Sequence, residues 1–239
     1  MQIALFSDIH ANLPALEAFF EDIDSRNPDS IYCLGDLVGY NIWPNEVVNA
    51  IRAKRIPTIA GNHDVVVGEV TDKPSGVFTN SVIGKSETKY LRALPAHIRL
   101  DFQLNSGTIK VLLVHGSPIR NNEYLTAETE DAYLLELMEV ANCDILCCAH
   151  THKPFHRTIP SGKDFKHVIN LGSLGKPKDK DQRGCYAMLS IDEYSDIQKP
   201  ESIKVAFCRV VYDVEKAARA VEETELLPNK FAEALRIAQ

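Results

Sequence analysis

Five short clusters of residues that can bind a metal ion recur between residues 7 and 152 of this chain. They are SDIH (7–10), GD (35–36), GNHD (61–64), VHG (114–116) and AHTH (149–152), and each follows an apolar run. Five of the eight histidines fall in these clusters, a distribution that chance placement would seldom produce. Carboxylate, imidazole and amide oxygen are hard to borderline ligands, so the pattern predicts a site for manganese, iron, cobalt, nickel or zinc.

Taken one at a time, the same residues have ordinary structural interpretations. Asp8 can cap a turn, Asp36 can be a turn residue after a glycine, and His115 can be a core histidine that bonds a backbone carbonyl. Three histidines lie outside the clusters, and we expect them to be structural: His97, His156 and His167. The recurrence of the clusters, rather than any single residue, is what indicates a metal site.

The apolar runs that precede the clusters predict the strands that position them. Runs 2–7, 30–35 and 56–61 predict buried strands, and 11–26 and 44–54 predict the helices between them. Strands that alternate with helices indicate a mostly parallel sheet, in which ligands bind beyond the carboxyl ends of the strands. In extended backbone, residues two apart point the same way, so each D-x-H or H-x-H pair can face a common point.

The rest of the chain is richer in strands. The patterns predict a helix over 86–94, a hairpin of 97–104 with 108–116, a helix over 126–140 capped by Thr126, a strand over 144–150, three further strands within 167–213, and a helical tail from Val214. We therefore predict an α/β fold in which two sheets pack face to face with helices outside. One domain should span 1–239, with the helical tail at about 214–239.

The composition of the chain argues against nucleic acid and membranes as binding partners. The 239 residues are 45% hydrophobic and carry a formal net charge of −7, which argues against nonspecific binding to nucleic acid. The N-terminal MQIALFSDIH enters an apolar run without a basic segment, so we expect no signal peptide, no membrane span and a cytoplasmic location. The six cysteines form no C-x-x-C pair and should be reduced core thiols.

The motifs, in this order, resemble those of a calcineurin-like metallophosphoesterase. They are Asp8-x-His10, Gly35-Asp36, Gly61-Asn62-His63-Asp64, His115-Gly116 and His150-x-His152, and the resemblance runs from residue 5 to about residue 190. It implies a four-layer α/β-β-α sandwich of two mixed sheets flanked by helices, with a two-metal centre at the strand ends. The implied ligands are Asp8, His10 and His152 for the first metal, Asn62, His115 and His150 for the second, and Asp36 as the bridge. His63 is implied to protonate the leaving oxygen.

The chemistry of such a centre follows from its charges. Two divalent ions a few ångströms apart repel each other, so a shared carboxylate is needed between them, and the positive charge that remains suits a phosphate ester. Water on such a metal ionises near neutral pH, so we expect in-line attack by metal-bound hydroxide. Asp64 either orients the ring of His63 and raises its basicity or is a turn residue. Manganese is the favoured metal, with iron, nickel, cobalt and zinc as alternatives.

The second motif separates this chain from some branches of the family. Protein serine/threonine phosphatases and symmetrical diadenosine-tetraphosphate hydrolases carry an arginine where this chain reads GDLVGYN, and neither Gly39 nor Tyr40 supplies one. The segments SDIHANLPALEA, GDLVGY, VHGSP and NLGSLGKPKD are similar to those of the small prokaryotic phosphodiesterase-like branch. Ala149 stands where a glycine is usual, a change that leaves the ligands intact.

We therefore expect hydrolysis of a phosphodiester or nucleotide-like ester. The alternatives are a phosphomonoesterase, an asymmetric dinucleoside-polyphosphate hydrolase and a catalytically silent scaffold of the same fold. The loop 172–184 holds Lys178 and Arg183, which can contact phosphate oxygens or form a solvated charged surface. Tyr40 and Trp43 can stack on an aromatic group or pack in the core. The sequence leaves the oligomeric state open.

Overall fold

The computed structural model describes residues 1–239 and contains two mixed sheets. The first sheet has four strands in the order β2 (Ser30–Cys33), β1 (Gln2–Phe6), β8 (Gly184–Ser190) and β9 (Lys204–Val210). β1 is parallel to β2 and antiparallel to β8, and β8 is antiparallel to β9. The carboxyl ends of β1 and β2 therefore lie side by side, where the first two motifs begin.

The second sheet has five strands. Their order is β3 (His97–Leu104), β4 (Gly107–Val114), β5 (Ile145–Cys148), β7 (Asp164–Asn170) and β6 (Phe155–Ser161). β4, β5 and β7 are parallel, and the edge strands β3 and β6 join them as antiparallel hairpins. The motifs at His115 and His150 both follow parallel strands of this sheet.

Alternation along the strands divides the core into three layers. Ile3 and Leu5 of β1 pack between the two sheets, whereas Ala4 and Phe6 face the helices outside the first sheet. In the second sheet, Leu112 and Leu146 face outward onto one helix. This is the period-two pattern expected of strands buried on both faces. The layers run helix, sheet, sheet, helix, which confirms the predicted four-layer sandwich.

Eight helices flank the sheets. They are α1 (Leu13–Arg26), α2 (Pro44–Ala53), α3 (Asn62–Val65), α4 (Pro74–Val82), α5 (Lys85–Arg92), α6 (Asp131–Val140), α7 (Val214–Glu222) and α8 (Lys230–Ile237). At the start of α1, Asn12 Oδ1 accepts from the backbone N–H of Ala15, and Pro14 occupies the first turn. α6 is the one helix that packs on the outer face of the second sheet. None of the eight helices is long and apolar enough to cross a membrane.

The structure differs from the predicted elements in five places. The strand predicted at 56–61 is a single bridge between Thr58 and Cys33, because Pro57 has no N–H to donate and the N–H of Ala60 bonds outside the sheet. The helix predicted from Thr126 begins at Asp131, since Thr126 and Thr129 form a local turn instead. α3, α4 and β6 were not predicted. All six cysteines are buried and unpaired, as predicted.

Candidate metal centre

Backbone hydrogen bonds hold the loops after β1 and β2 together. The N–H of Asp8 donates to the carbonyl of Gly35 at 3.0 Å, and the N–H of His10 donates to the carbonyl of Asp36 at 2.9 Å. Gly35 has a φ of +89°, and a Cβ there would lie 2.3 Å from the backbone nitrogen of Gly61. Glycine at 35 therefore lets the third motif approach the second.

The backbone conformation of the site differs from the extended one expected from the sequence. Five of the predicted ligands have left-handed backbone, with φ between 50° and 67°: Asp8, His10, Asp36, His150 and His152. Side chains two apart therefore converge because each pair lies in a turn, not because of strand alternation. Left-handed backbone is costly for residues other than glycine, and such strain clusters at functional sites.

One group of ligand atoms gathers around Asp8. Its Oδ1 lies 3.2 Å from Nε2 of His152 and 3.6 Å from Nε2 of His10. The two imidazole nitrogens are 3.2 Å apart. All three side chains are buried. This places together the three residues implied for the first metal.

A second group gathers on the other side of Asp36. His115 Nε2 lies 3.3 Å from Asp36 Oδ2 and 3.0 Å from Asn62 Oδ1. A ring nitrogen of His150 lies within 4.8 Å of the ligand atoms of Asp36 and His115. The same Oδ2 is 3.7 Å from Nε2 of His10 in the first group. Asp36 thus lies between the two groups, where a bridging ligand would be.

The hydrogen bonds made by the Nδ1 atoms of the histidines leave the site suited to a cation. The Nδ1 atoms of His10 and His115 lie 3.0 Å and 2.8 Å from the carbonyl oxygens of Val38 and Leu34, so each Nδ1 carries the proton. His152 Nδ1 makes the same contact with the carbonyl of Lys176. The Nε2 lone pairs of His10 and His152 therefore point at a carboxylate oxygen of Asp8 and at each other, an arrangement that a positive ion stabilises. Asp8 Oδ1 is buried and has no hydrogen-bond partner, which also favours a cation.

Burial and the short distances between charged groups shift the pKa values of the site. Burial opposes the charge on Asp36, yet His115 and His63 outweigh burial and lower its pKa below the ordinary value. Burial would lower the pKa of His115, but the charge and hydrogen bond of Asp36 raise it to about 10. Burial, as the largest cause, lowers the pKa of His10 and His152. Asp36 is therefore ionised and His10 and His152 are neutral near pH 7, as metal ligands must be. His115 instead carries a second proton that it would release when it binds a metal ion.

His63 lies at the edge of the site. Its backbone N–H donates to Asp36 Oδ1 at 2.8 Å, and its ring stands edge-on to the ring of His10 at 5.0 Å. One ring nitrogen is also within 4.8 Å of the ligand atoms of His10 and Asp36. Burial is the largest cause that lowers the pKa of His63, to about 4.

Of the two interpretations of Asp64, the structure supports the turn residue and not the contact with the His63 ring. The Asp64 carboxylate accepts from three backbone N–H groups, those of Asp36, Leu37 and Gly61, at 2.8–2.9 Å. It makes no hydrogen bond to the His63 ring. The physical reason is geometric, because in α3 the side chain of Asp64 turns back to cap its own helix. Asp64 therefore ties the second and third motifs together.

A cavity of about 750 Å³ opens over these residues. Its lining includes Asp36, Asn62, His63, His150 and His152. This size falls among ligand-binding sites, which measure roughly 300–1,000 Å³. A metal centre in the wall of such a cavity can act on a bound ligand.

Residues 1–194 match the family described as the calcineurin-like phosphoesterase superfamily domain. The chain belongs to this superfamily. An uncharacterised protein of Methanocaldococcus jannaschii is 32% identical over 246 positions, which cover 94% of this chain and 93% of the relative. The crystal structure of a metallophosphoesterase from Sphaerobacter thermophilus has a TM-score of 0.78 at 27% identity and covers 100% of both chains. A hypothetical protein from Pyrococcus horikoshii shares the fold, with a TM-score of 0.77 at 24% identity over 98% and 97% of the chains.

Calcineurin-like phosphoesterases act on phosphate esters with divalent metal ions, and the donor groups around Asp8 and Asp36 suit such ions. Of the two expected substrate contacts of the phosphoesterase, Lys178 lines the cavity. Arg183 does not, because its guanidinium is exposed and pairs with Asp181 in the same loop. The structure thus separates Arg183 from the site.

Other residues of the chain reach the cavity without having been predicted. Tyr124 stacks on the ring of His150 at 4.2 Å, and Phe231 of α8 also lines the cavity. Neither residue stands in a motif, so no sequence signal could have found them. Tyr40 lines the cavity as well, whereas Trp43 packs against the core beneath α2. Lys176 is buried over the Tyr40 ring, and burial followed by the charge of Lys178 lowers its pKa to about 8.

Proposed function

We propose that this protein hydrolyses a phosphodiester or nucleotide-like phosphate ester with the help of two divalent ions. Manganese is the favoured metal, and iron, nickel, cobalt or zinc are the alternatives. The observation that carries the proposal is the position of Asp36 Oδ2, 3.7 Å from His10 Nε2 and 3.3 Å from His115 Nε2. One carboxylate oxygen that faces two separate ligand groups suits a pair of ions better than a single one.

The residues divide between two sites. Asp8, His10 and His152 would hold one ion, Asn62, His115 and His150 would hold the other, and Asp36 would contact both. When bound, the ions would supply positive charge for the phosphate and lower the pKa of water at the centre.

The chain's own groups supply the remaining steps. His63 would donate a proton to the leaving oxygen, since its ring lines the cavity beside both ligand groups. The negative charge of a bound phosphate would raise the pKa that burial holds at about 4 in the free site. The Lys178 ammonium, which also lines the cavity, would bind a phosphate oxygen. Asp64 would act indirectly, by fixing the turn that carries Asp36. Arg183 has no part in this scheme.

A phosphomonoesterase or an asymmetric dinucleoside-polyphosphate hydrolase would use the same centre. The size of the cavity favours an ester with two organic groups or a nucleoside over a small monoester. A catalytically silent scaffold is less well supported, because all seven candidate ligands and His63 are present and gathered at one site.

A panel assay tests the proposal. The protein, loaded in turn with Mn²⁺, Ni²⁺, Co²⁺, Zn²⁺ or Mg²⁺, is assayed against bis-p-nitrophenyl phosphate, p-nitrophenyl phosphate and a dinucleoside polyphosphate. We expect the diester to give the highest kcat/KM, with Mn²⁺ among the most active metals. The matched control is His152→Ala, which should lose metal and activity together. Failure of every ion to support hydrolysis of bis-p-nitrophenyl phosphate would favour the scaffold.

A further inference from the structure

The C-terminal helix α8 is fastened beside the metal centre, although it lies beyond the 1–194 segment that matches the family. Arg236 of α8 pairs with Glu215 and Glu222 of α7. On its other side, the carbonyl of Ala238 accepts from the backbone N–H of Lys180 at 3.1 Å. The helix is therefore held by both α7 and the loop that carries Lys178.

A chain of aromatic contacts leads from this helix to the catalytic candidate. Phe231 of α8 stands edge-on to Tyr40, with ring centroids 5.0 Å apart and planes at 86°. Tyr40 in turn lies 4.9 Å from the ring of His63. Both Phe231 and Tyr40 are partly exposed and line the cavity. The tail thus supplies part of the cavity wall next to His63.

Four valines of the segment after His63 line the cavity, of which Val67 is buried and the other three are exposed. Val65, Val66 and Val70 are 45%, 46% and 106% exposed, so their apolar surface faces open space rather than the core. Tyr124, which covers His150, is 59% exposed. Apolar side chains gathered in one concave surface are typical of ligand sites, because binding removes that surface from water.

The charged groups around these residues are few and mixed. Glu69 and Lys73 line the cavity near the valines, and no arginine does. Lys178 is the remaining lysine of the lining. A second phosphate would need several cations or amide donors, whereas a flat ring needs apolar and aromatic walls. The lining also contains the amides of Asn80, Asn121 and Asn122. The wall made of Tyr40, Phe231 and the exposed valines nevertheless suits a flat ring better than a charged chain.

We propose that this apolar half of the cavity binds a planar aromatic ring carried by the phosphate ester, and that Phe231 completes the subsite. The proposal rests on the proposed function, since the phosphate must sit at the metal centre for the ring to reach this wall. It makes the tail helix α8 a determinant of substrate choice in this protein.

Calorimetric binding of two phosphonates to the Mn²⁺-loaded protein tests the proposal without requiring turnover. Phenylphosphonate and methylphosphonate share the group that would bind at the metals and differ in the ring. We expect the wild type to bind phenylphosphonate about tenfold more tightly, as burial of a ring predicts. Phe231→Ala should reduce this preference about two- to tenfold and leave the affinity for methylphosphonate unchanged.

Two further variants keep the result interpretable. Ile237→Ala removes an exposed side chain of the same helix that does not line the cavity, and it should keep the wild-type preference. Val66→Ser changes a different segment of the lining and should weaken the preference even if Phe231→Ala fails to fold. Adenosine 5′-monophosphate, compared with inorganic phosphate, distinguishes the source of the ring. If the wild type binds the nucleotide more tightly than phosphate and Phe231→Ala abolishes this difference, the ring is a nucleobase. If the wild type prefers phenylphosphonate but shows no preference for the nucleotide, the ring is a simple aryl group.

The outcomes separate this proposal from the proposed function. If the wild type binds both phosphonates equally, the phosphate site stands and the aromatic subsite is refuted. Equal loss of preference in Ile237→Ala would also refute the role of Phe231. If the metal-loaded wild type binds neither phosphonate nor phosphate, the proposed function itself fails, and the subsite fails with it.

Discussion

The two oxygens of Asp36 have different partners, and one of these partners is His63. Oδ1 accepts from the backbone N–H of His63 at 2.8 Å, while Oδ2 lies 3.3 Å from Nε2 of His115. The carboxylate that lies between the two ligand groups therefore also holds the turn that presents His63. Metal binding and placement of the candidate acid depend on one side chain.

Asp36→Asn should weaken both metal sites together. The amide keeps an oxygen that can accept from the His63 N–H but loses the negative charge that two divalent ions would share. We expect at least about tenfold weaker binding of each ion, since even changes behind the ligands of a metal cost about that much. Elemental analysis after dialysis against limiting Mn²⁺ measures the metal content of each chain.

Asp24→Asn, which changes an exposed carboxylate on α1, is the control and should retain wild-type metal content. Full retention of one ion in Asp36→Asn would show that Asp36 belongs to a single site.

His63→Gln should leave metal content intact while turnover falls about 10²–10⁴-fold, the usual contribution of a general acid. The loss should be smaller for esters of p-nitrophenol, because a good leaving group needs little protonation, and larger for alkyl esters. Steady-state kinetics with both kinds of ester, beside metal analysis, provide the measurement. Loss of metal from the variant would instead identify His63 as a ligand, a role that its place within 4.8 Å of His10 and Asp36 also allows.

The sequence alone predicts which metal-binding side chains follow each strand. A buried run followed by a metal-binding side chain can be recognised locally, and the layers follow from strands buried on both faces. The direction of each side chain could not be predicted, since left-handed backbone at residues such as Asp8 and His150 depends on contacts made by distant loops. Arg183 lies away from the cavity because it pairs with Asp181, and Phe231 lines the cavity because of how the C-terminal helix packs. Neither contact can be read from the local sequence. The predicted division into one domain over 1–239 and the cytoplasmic location stay predictions.

Asp64→Asn should destabilise the protein rather than alter the chemistry of His63. The wild-type carboxylate accepts from three backbone N–H groups, and an amide has only one oxygen to accept them. Leaving buried N–H groups unpaired costs about 1–3 kcal/mol of the free energy of unfolding. Urea unfolding of the chelator-treated protein measures this loss. A variant of unchanged stability whose pH–rate profile shifts would restore the interpretation that Asp64 acts on His63.

The paired histidines of the β6–β7 hairpin should make stability fall with acid. His156 Nε2 lies 3.0 Å from His167 Nδ1, and Nε2 of His167 is buried without a partner. Burial, followed by the charge of His156, lowers the pKa of His167 to about 4. An unfolded chain takes up this proton near pH 6.5, so the contribution of His167 is complete above about pH 6.5 and is lost as the pH falls toward 4.

Replacement of His167 by leucine should therefore flatten the pH dependence. Between pH 6.5 and pH 5, the free energy of unfolding of the wild type should fall by about 1–2 kcal/mol more than that of His167→Leu. Urea unfolding in the presence of chelator gives both series, because the histidines of the metal centre then titrate alike in the two proteins. His97→Gln removes an exposed histidine of β3 and should follow the wild type. Parallel curves for wild type and His167→Leu would mean that His167 has the same pKa in the folded and the unfolded chain, which would contradict the prediction.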